Sequence, residues 1–269
     1  MHVALVPVAA LVAVVAAARS LWSPCGLSML STITPVSERS RRHRYGVTAT
    51  WFVAGAVLGG ATLGVGTAAL AVIVHVLGPT NAVRAGIAVV GSLVAVASDV
   101  RLFGFHLPRR ARQVDETWLG TYRPWFYGVG FGWQIGTGLA TYVMTAGVYL
   151  TILLAALTGQ PAVAFLLCLL FGATRGLAVL IGARATSPAK LHPIHRRLDQ
   201  LEPASRAVAI GAEAVAGTVC AAALWGAPAA VVVASAGAVA MAQVLWRAGG
   251  ARVRPAQPAA SAQVAASPR

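Results

Sequence analysis

Three groups in this sequence have types and settings that could do chemistry. The first is Cys25, within Ser23-Pro24-Cys25-Gly26. A proline inside a helix removes an amide donor and clashes with the preceding turn, so Pro24 predicts a break or kink. A thiol beside such a break can be reached by a partner, and nearby Arg19 or a helix N-terminus could support its thiolate. That chemistry would be thiol–disulfide exchange. The plainer alternative is a packing cysteine next to a structural kink. The other two groups are Arg175 and Glu213, each set in a long apolar run. Ionisable groups inside a membrane face a cavity or pair with one another. These two could form an anion site at Arg175, with Glu213 as counter-ion or proton carrier. They could equally form a structural ion pair, or reach to an interface.

Little else in the chain reads as chemistry. Asp99, at the end of its apolar run, reads as interfacial. His192 and His195 flank Pro193 with no cysteine close by, so no metal ligand set is expected. No phosphate loop, hydrolase elbow or dinucleotide fingerprint occurs, and no cofactor is expected.

The elements that must position these residues follow from composition. Of 269 residues, 58% are hydrophobic and 10% charged, against about 25% charged in a soluble domain. Val47–Leu77, Trp125–Leu157 and Val208–Trp246 are almost free of charge. About 20 apolar residues cross a bilayer as a helix, and helices satisfy their own backbone where no water can. Strands of a barrel would alternate polar and apolar residues, and these runs do not. The fold class is therefore all-α integral membrane with about seven crossings. They are Val3–Pro35 (interrupted at Ser23-Pro24), Val47–Leu77, Ala82–Val100, Trp125–Leu157, Pro161–Ala183, Ala207–Trp225 and Ala229–Trp246. The first run has no basic flank ahead of it and reads as a retained crossing, not a cleaved signal. The last residues, 248–269, are rich in Ala, Pro, Ser and Gln and read as a disordered tail.

Charge placement gives an orientation. Eighteen of the 21 basic residues fall in four segments: Arg39–Arg44, Arg101–Arg123, Arg184–Arg206 and the stretch from Arg247 onward. The connections Gly78–Asn81, Thr158–Gln160 and Gly226–Pro228 carry no charge. Basic loops stay in the cytoplasm, so the N-terminus is expected outside and the tail inside. The net charge of +14 then serves orientation and contact with anionic lipid, and no nucleic-acid partner is expected.

An internal repeat is also legible. Gly60-Ala61-Thr62-Leu63-Gly64 returns as Gly172-Ala173-Thr174-Arg175-Gly176, 112 positions later, and the same offset aligns Gly26-Leu27 with Gly138-Leu139. Residues 1–100 and 101–225 would form two three-helix units, with 226–247 as an added crossing. Three crossings per unit make the second enter from the opposite face, an inverted repeat with its site between discontinuous helices near the midplane.

Leu21-Trp22-Ser23-Pro24-Cys25-Gly26-Leu27 resembles the first-helix motif of the cytochrome c biogenesis transmembrane family, which includes CcdA and the membrane domain of DsbD. Gly130-Phe131-Gly132-Trp133-Gln134-Ile135-Gly136 resembles the same family's fourth-helix motif. The resemblance implies inverted three-helix repeats, an outside N-terminus, a bacterial plasma membrane, and a cysteine pair relaying reducing equivalents from a thioredoxin-like partner. Cys25 matches the first family cysteine, but the second falls at Gly136 or Thr137, neither a thiol. Similar LysE-type scaffolds move small solutes instead. The leading expectation is therefore translocation of a small solute rather than an enzyme reaction, with Pro24, Gly136, Thr137, Arg175 and Glu213 along the path. The alternatives are a thiol relay through Cys25, and a non-catalytic scaffold or maturation factor.

Overall fold

The computed structural model describes residues 2–108 and 122–253. These form ten α-helices in chain order: α1 (His2–Arg19), α2 (Pro24–Thr32), α3 (Pro35–Ser40), α4 (Tyr45–Leu77), α5 (Asn81–Val100), α6 (Pro124–Gly136), α7 (Gly147–Leu157), α8 (Pro161–Leu177), α9 (Pro188–Trp225) and α10 (Ala227–Val253). Short 3-10 segments at Ser20–Trp22, Leu102–Gly104 and Ala178–Arg184 extend α1, α5 and α8. The described residues contain no strand. This is an all-α integral membrane architecture.

Six helical stretches are long and apolar enough to cross a bilayer: Leu5–Trp22, Tyr45–Leu77, Asn81–Val100, Pro161–Arg184, Ala189–Trp225 and Ala227–Ala248. The fourth expected crossing, Trp125–Leu157, is not one helix but α6 and α7, of 13 and 11 residues, with ten residues of irregular chain and turn between them. Two further expectations need correction. The basic stretch Arg184–Arg206 is not a loop, since α9 begins at Pro188 and absorbs Pro193 and Pro203. The tail does not begin at 248, because α10 runs to Val253. The rest of that tail, 254–269, and the arginines at 109, 110 and 112 lie outside the described residues.

Both interruptions have local causes. Ser23 is extended (φ −70°, ψ 155°), the conformation that a following proline favours. Its hydroxyl accepts from the Gly26 amide at 3.2 Å and so caps α2, with Pro24 at the first helical position. The second break needs no proline. Gly138 takes φ +69°, a region open to glycine at no steric cost, and the chain leaves the α6 axis there.

Small residues set the helix packing. Where α4 meets α6, a Cβ on Gly132 would lie 2.1 Å from the Phe52 carbonyl oxygen, and one on Gly136 equally close to that of Ala56. Where α4 crosses α8, Gly60 and Gly172 bring their backbones together. Apolar burial gives no net drive between helices already in lipid, so close backbone approach of this kind holds them. α1 lies against α7, α8 and α9, while α9 also carries α5 and α10.

Candidate functional site

The fold gathers most of the buried polar chemistry at the two helix breaks and at the basic end of the bundle. Pro24 and Cys25 open α2. Cys25 is fully buried, in a cluster with Met29, Phe52, Phe131 and Val179. The Arg175 guanidinium, from α8, interacts electrostatically with it. Arg175 also donates from one terminal nitrogen to the Ile135 carbonyl at 2.7 Å, and its guanidinium carbon sits 5.8 Å from the Phe171 ring centre. Ile135 is in the last turn of α6, where carbonyls lose their helical partners. Arg175 therefore caps the broken helix. Its other terminal nitrogen has no hydrogen-bond partner among the described residues.

Gly136 and Thr137 close the same helix end. Gly136 lies on the Ala56 backbone, and the Thr137 hydroxyl donates to the Gln134 carbonyl at 2.9 Å. Thus Cys25, Arg175, Gly136 and Thr137 belong to one neighbourhood. Glu213 does not pair with Arg175. It sits instead beside Asp99 and Thr145, with Oε1 3.4 Å from the Thr145 hydroxyl. Of the alternatives the sequence left open for these two charges, a direct ion pair is not formed: Arg175 binds the Ile135 carbonyl and Glu213 faces the Thr145 hydroxyl.

Asp99, near the C-terminal end of α5, is covered by protein. It is 7% exposed, and its carboxylate accepts from the Thr145 hydroxyl at 2.5 Å and the Ala146 amide at 2.8 Å. Its backbone carbonyl accepts from Arg206. Arg19, at the end of α1, donates to Glu202 of α9 at 2.6 Å. That contact ties α1 to the basic end of the bundle.

A third cluster was missed by the sequence reading. Glu38, in α3, is fully buried. Its carboxylate accepts from the Tyr127 hydroxyl at 2.7 and 2.8 Å, from Thr48 at 2.5 Å and from Arg41 at 3.2 Å. One signal pointed to it: Glu38 is one of only seven acidic residues and stands alone within a run of arginines. The network joins α3, α4 and α6. Near it Trp51 and Trp125 meet edge to face, and Trp125 and Phe126 are exposed, as aromatic side chains at a membrane–water interface are.

Comparison with known proteins adds a functional context. No family model matches the chain, and no solved structure matches it. Two curated relatives do. Methylamine utilization protein MauF of Methylorubrum extorquens is 29% identical over 168 residues, covering 60% of this chain and 57% of the relative. Methylamine utilization protein MauF of Paracoccus versutus is 29% identical over 185 residues, covering 67% of this chain and 65% of the relative. The chain thus spans less than two thirds of the length of these relatives. The resemblance to the cytochrome c biogenesis family finds no support in these comparisons.

Proposed function

We propose that this chain is a membrane-embedded accessory protein of a methylamine-utilization system, a scaffold or maturation factor rather than the enzyme that handles the amine. The observation that carries the reading is its similarity, at 29% identity over 168 and 185 residues, to two proteins named for methylamine utilization. The geometry fits this role. Arg175 is turned onto a helix-end carbonyl, and Glu38 onto Tyr127, Thr48 and Arg41. Such contacts fix a shape rather than bind a substrate. Small-solute translocation finds no support in the comparisons.

Residues 1–100 and 101–225 are read as related halves of opposite orientation. In support, the repeat-matched Gly60 and Gly172 touch each other, and each half opens with a broken helix, at Ser23 and at Thr137–Gly138. The orientation, with the N-terminus outside a bacterial plasma membrane, is supported by the arginine-bearing segments at one end of the bundle.

The test is complementation. This chain, expressed in a Methylorubrum extorquens strain lacking MauF, restores growth on methylamine. If it reaches the membrane but growth on methylamine alone stays absent, the reading fails.

One observation favours a more specific version. Cys25 occupies the start of α2, where the helix dipole favours an anion, and Arg175 interacts with it. In thiol exchange the Cys25 sulfur would attack a partner disulfide, forming one mixed disulfide and releasing one partner thiol. Being buried, Cys25 reacts only when the Ser20–Ser23 joint opens. Cys25→Ser should abolish a disulfide-linked adduct that wild-type protein forms in membranes; wild type without any adduct sinks this version alone.

A further inference from the structure

Glu213, Asp99 and Thr145 meet where α9, α5 and the start of α7 converge. Glu213 is 1% exposed, and its Oε2 has no hydrogen-bond partner among the described residues. Its Oε1 lies 3.4 Å from the Thr145 hydroxyl. That hydroxyl is already committed: it lies 2.5 Å from Asp99 Oδ2 and accepts from the Gly147 amide at 3.2 Å. A hydroxyl carries one hydrogen and two lone pairs. The hydrogen is assigned to the shorter contact, with Asp99 as the ionised partner: its Oδ1 accepts from the Ala146 amide at 2.8 Å, and Arg19 and Arg206 act on it electrostatically. Toward Glu213 the hydroxyl then offers only a lone pair. The Gly147 amide also faces Glu213, but it is shared with the Thr145 hydroxyl. An ionised Glu213 would still set negative charge against the hydroxyl's lone pair and leave Oε2 without a donor, an arrangement that costs several kcal/mol unless the group is neutralised.

We propose that Asp99, Thr145 and Glu213 form a single-proton site in which Glu213 holds the proton and donates it to Thr145. The proton closes a chain from Glu213 through Thr145 to Asp99, and so holds the first residues of α7 against α5 and α9. The ligand is a proton rather than a metal or ammonium ion. The small cavity at this place, about 10 Å³, is lined by Asp99, Thr145, Ala146 and Tyr149 but not by Glu213, so a cation there would not bridge the two carboxylates.

The charged groups around the site are accounted for. Arg19 comes from α1, already paired with Glu202, and acts electrostatically on Asp99. Arg206 of α9 is bound to the Asp99 carbonyl, with Arg101 acting on it from beyond α5. Tyr149 of α7 donates to Pro108. Arg247 of α10 lines the outer cleft with Arg206, and His106 is exposed. Arg19 and Arg206 act on Asp99, whereas the charged group acting on Glu213 is Asp99 itself. When the proton leaves, two negative charges face one hydroxyl, and the α7 start is released.

The experiment is infrared spectroscopy of the full-length protein in lipid nanodiscs at neutral pH. Wild type should show the carbonyl stretch of a protonated carboxylic acid. Glu213→Gln should lose it. Thr145→Val, which removes the acceptor but keeps the shape, should move the same band to higher frequency; this keeps the proposal falsifiable if the glutamine variant does not fold. Replacing sodium by choline in the buffer should leave the band unchanged. No acid band in wild type, a band that survives Glu213→Gln, a band unmoved by Thr145→Val, or a band that disappears on adding sodium each overturns the proposal.

Discussion

Gly60 and Gly172 touch backbone to backbone where α4 crosses α8. A Cβ built on Gly60 would lie 2.9 Å from the Gly172 Cα, and one built on Gly172 would lie 2.6 Å from the Gly60 Cα. Both neighbours are main chain, which cannot swing aside. Gly60→Val and Gly172→Val should each destabilise the protein by about 1–3 kcal/mol or more, as overpacking a close contact does. Gly66, on the same helix, has nothing within 4 Å of its would-be Cβ. Gly66→Ala should therefore be neutral, or stabilising by up to about 1 kcal/mol through helix propensity. Thermal unfolding of the detergent-solubilised protein reads all three, and equal melting temperatures for Gly60→Val and Gly66→Ala would rule out the crossing.

The Glu38 network makes a different kind of prediction. Tyr127 supplies two of the contacts to a carboxylate with no exposed surface. Tyr127→Phe keeps the ring, and with it the contact with the His43 ring, but deletes the donor. A buried acceptor that loses a donor costs about 1–3 kcal/mol, more when it is charged. Arg41→Gln should cost less, since the Arg41 side chain is 29% exposed and water can replace it. The two variants compared by chemical denaturation should rank in that order, and the reverse order would show that Arg41, not Tyr127, holds the carboxylate.

The contrast between these clusters explains what the sequence could and could not give. Apolar run length named α4 and α5, and the starts of α8 and α10, to within a few residues, because the bilayer demands it. Pro24 foretold the first break, since proline acts on its own neighbours. Repeat spacing aligned Gly60 with Gly172 but said nothing of their contact. By contrast, no local pattern says that the stretch around Arg196 continues as helix into α9. There the two internal prolines and the charges argue for a loop, and docking of Leu198 and Ile194 on Leu21 and Trp22 overrides them. Partner choice was equally hidden. Arg175 and Glu213 were visible as intramembrane charges, yet their partners, the Ile135 carbonyl and Thr145, are far away in sequence.

The cap on α2 lies directly before the buried Cys25. The Ser23 hydroxyl accepts from the Gly26 amide, and an alanine there leaves that amide unpaired. Losing such a cap costs about 1 kcal/mol, which makes local opening about fivefold more frequent. Ser23→Ala should therefore raise the maleimide-labelling rate of Cys25 about fivefold. Cys168, held in α8 by a 3.3 Å contact with Thr67, should label at its wild-type rate. Mass spectrometry of timed reactions separates the two sites. Parallel acceleration of both cysteines would mean global loosening and not a local joint.

Orientation can be settled at two positions on opposite ends of the bundle. Ser40 ends α3 among Arg39, Arg41, Arg42 and Arg44, whereas Gln160 sits in the uncharged connection between α7 and α8. Both residues are exposed. Near the second end Arg84 has its Nε turned onto the Pro79 carbonyl at 3.2 Å, so among the described residues that end presents little positive charge to lipid headgroups. Positive loops resist translocation, so the proposed orientation predicts Ser40 inside and Gln160 outside. In a background with Cys25, Cys168 and Cys220 replaced by serine, Gln160→Cys should react with a membrane-impermeant maleimide on intact cells. Ser40→Cys should react only after the membrane is opened. Labelling of Ser40→Cys on intact cells, with Gln160→Cys protected, would invert the molecule and put the arginine-rich end, with the Glu38 network behind it, on the outer face.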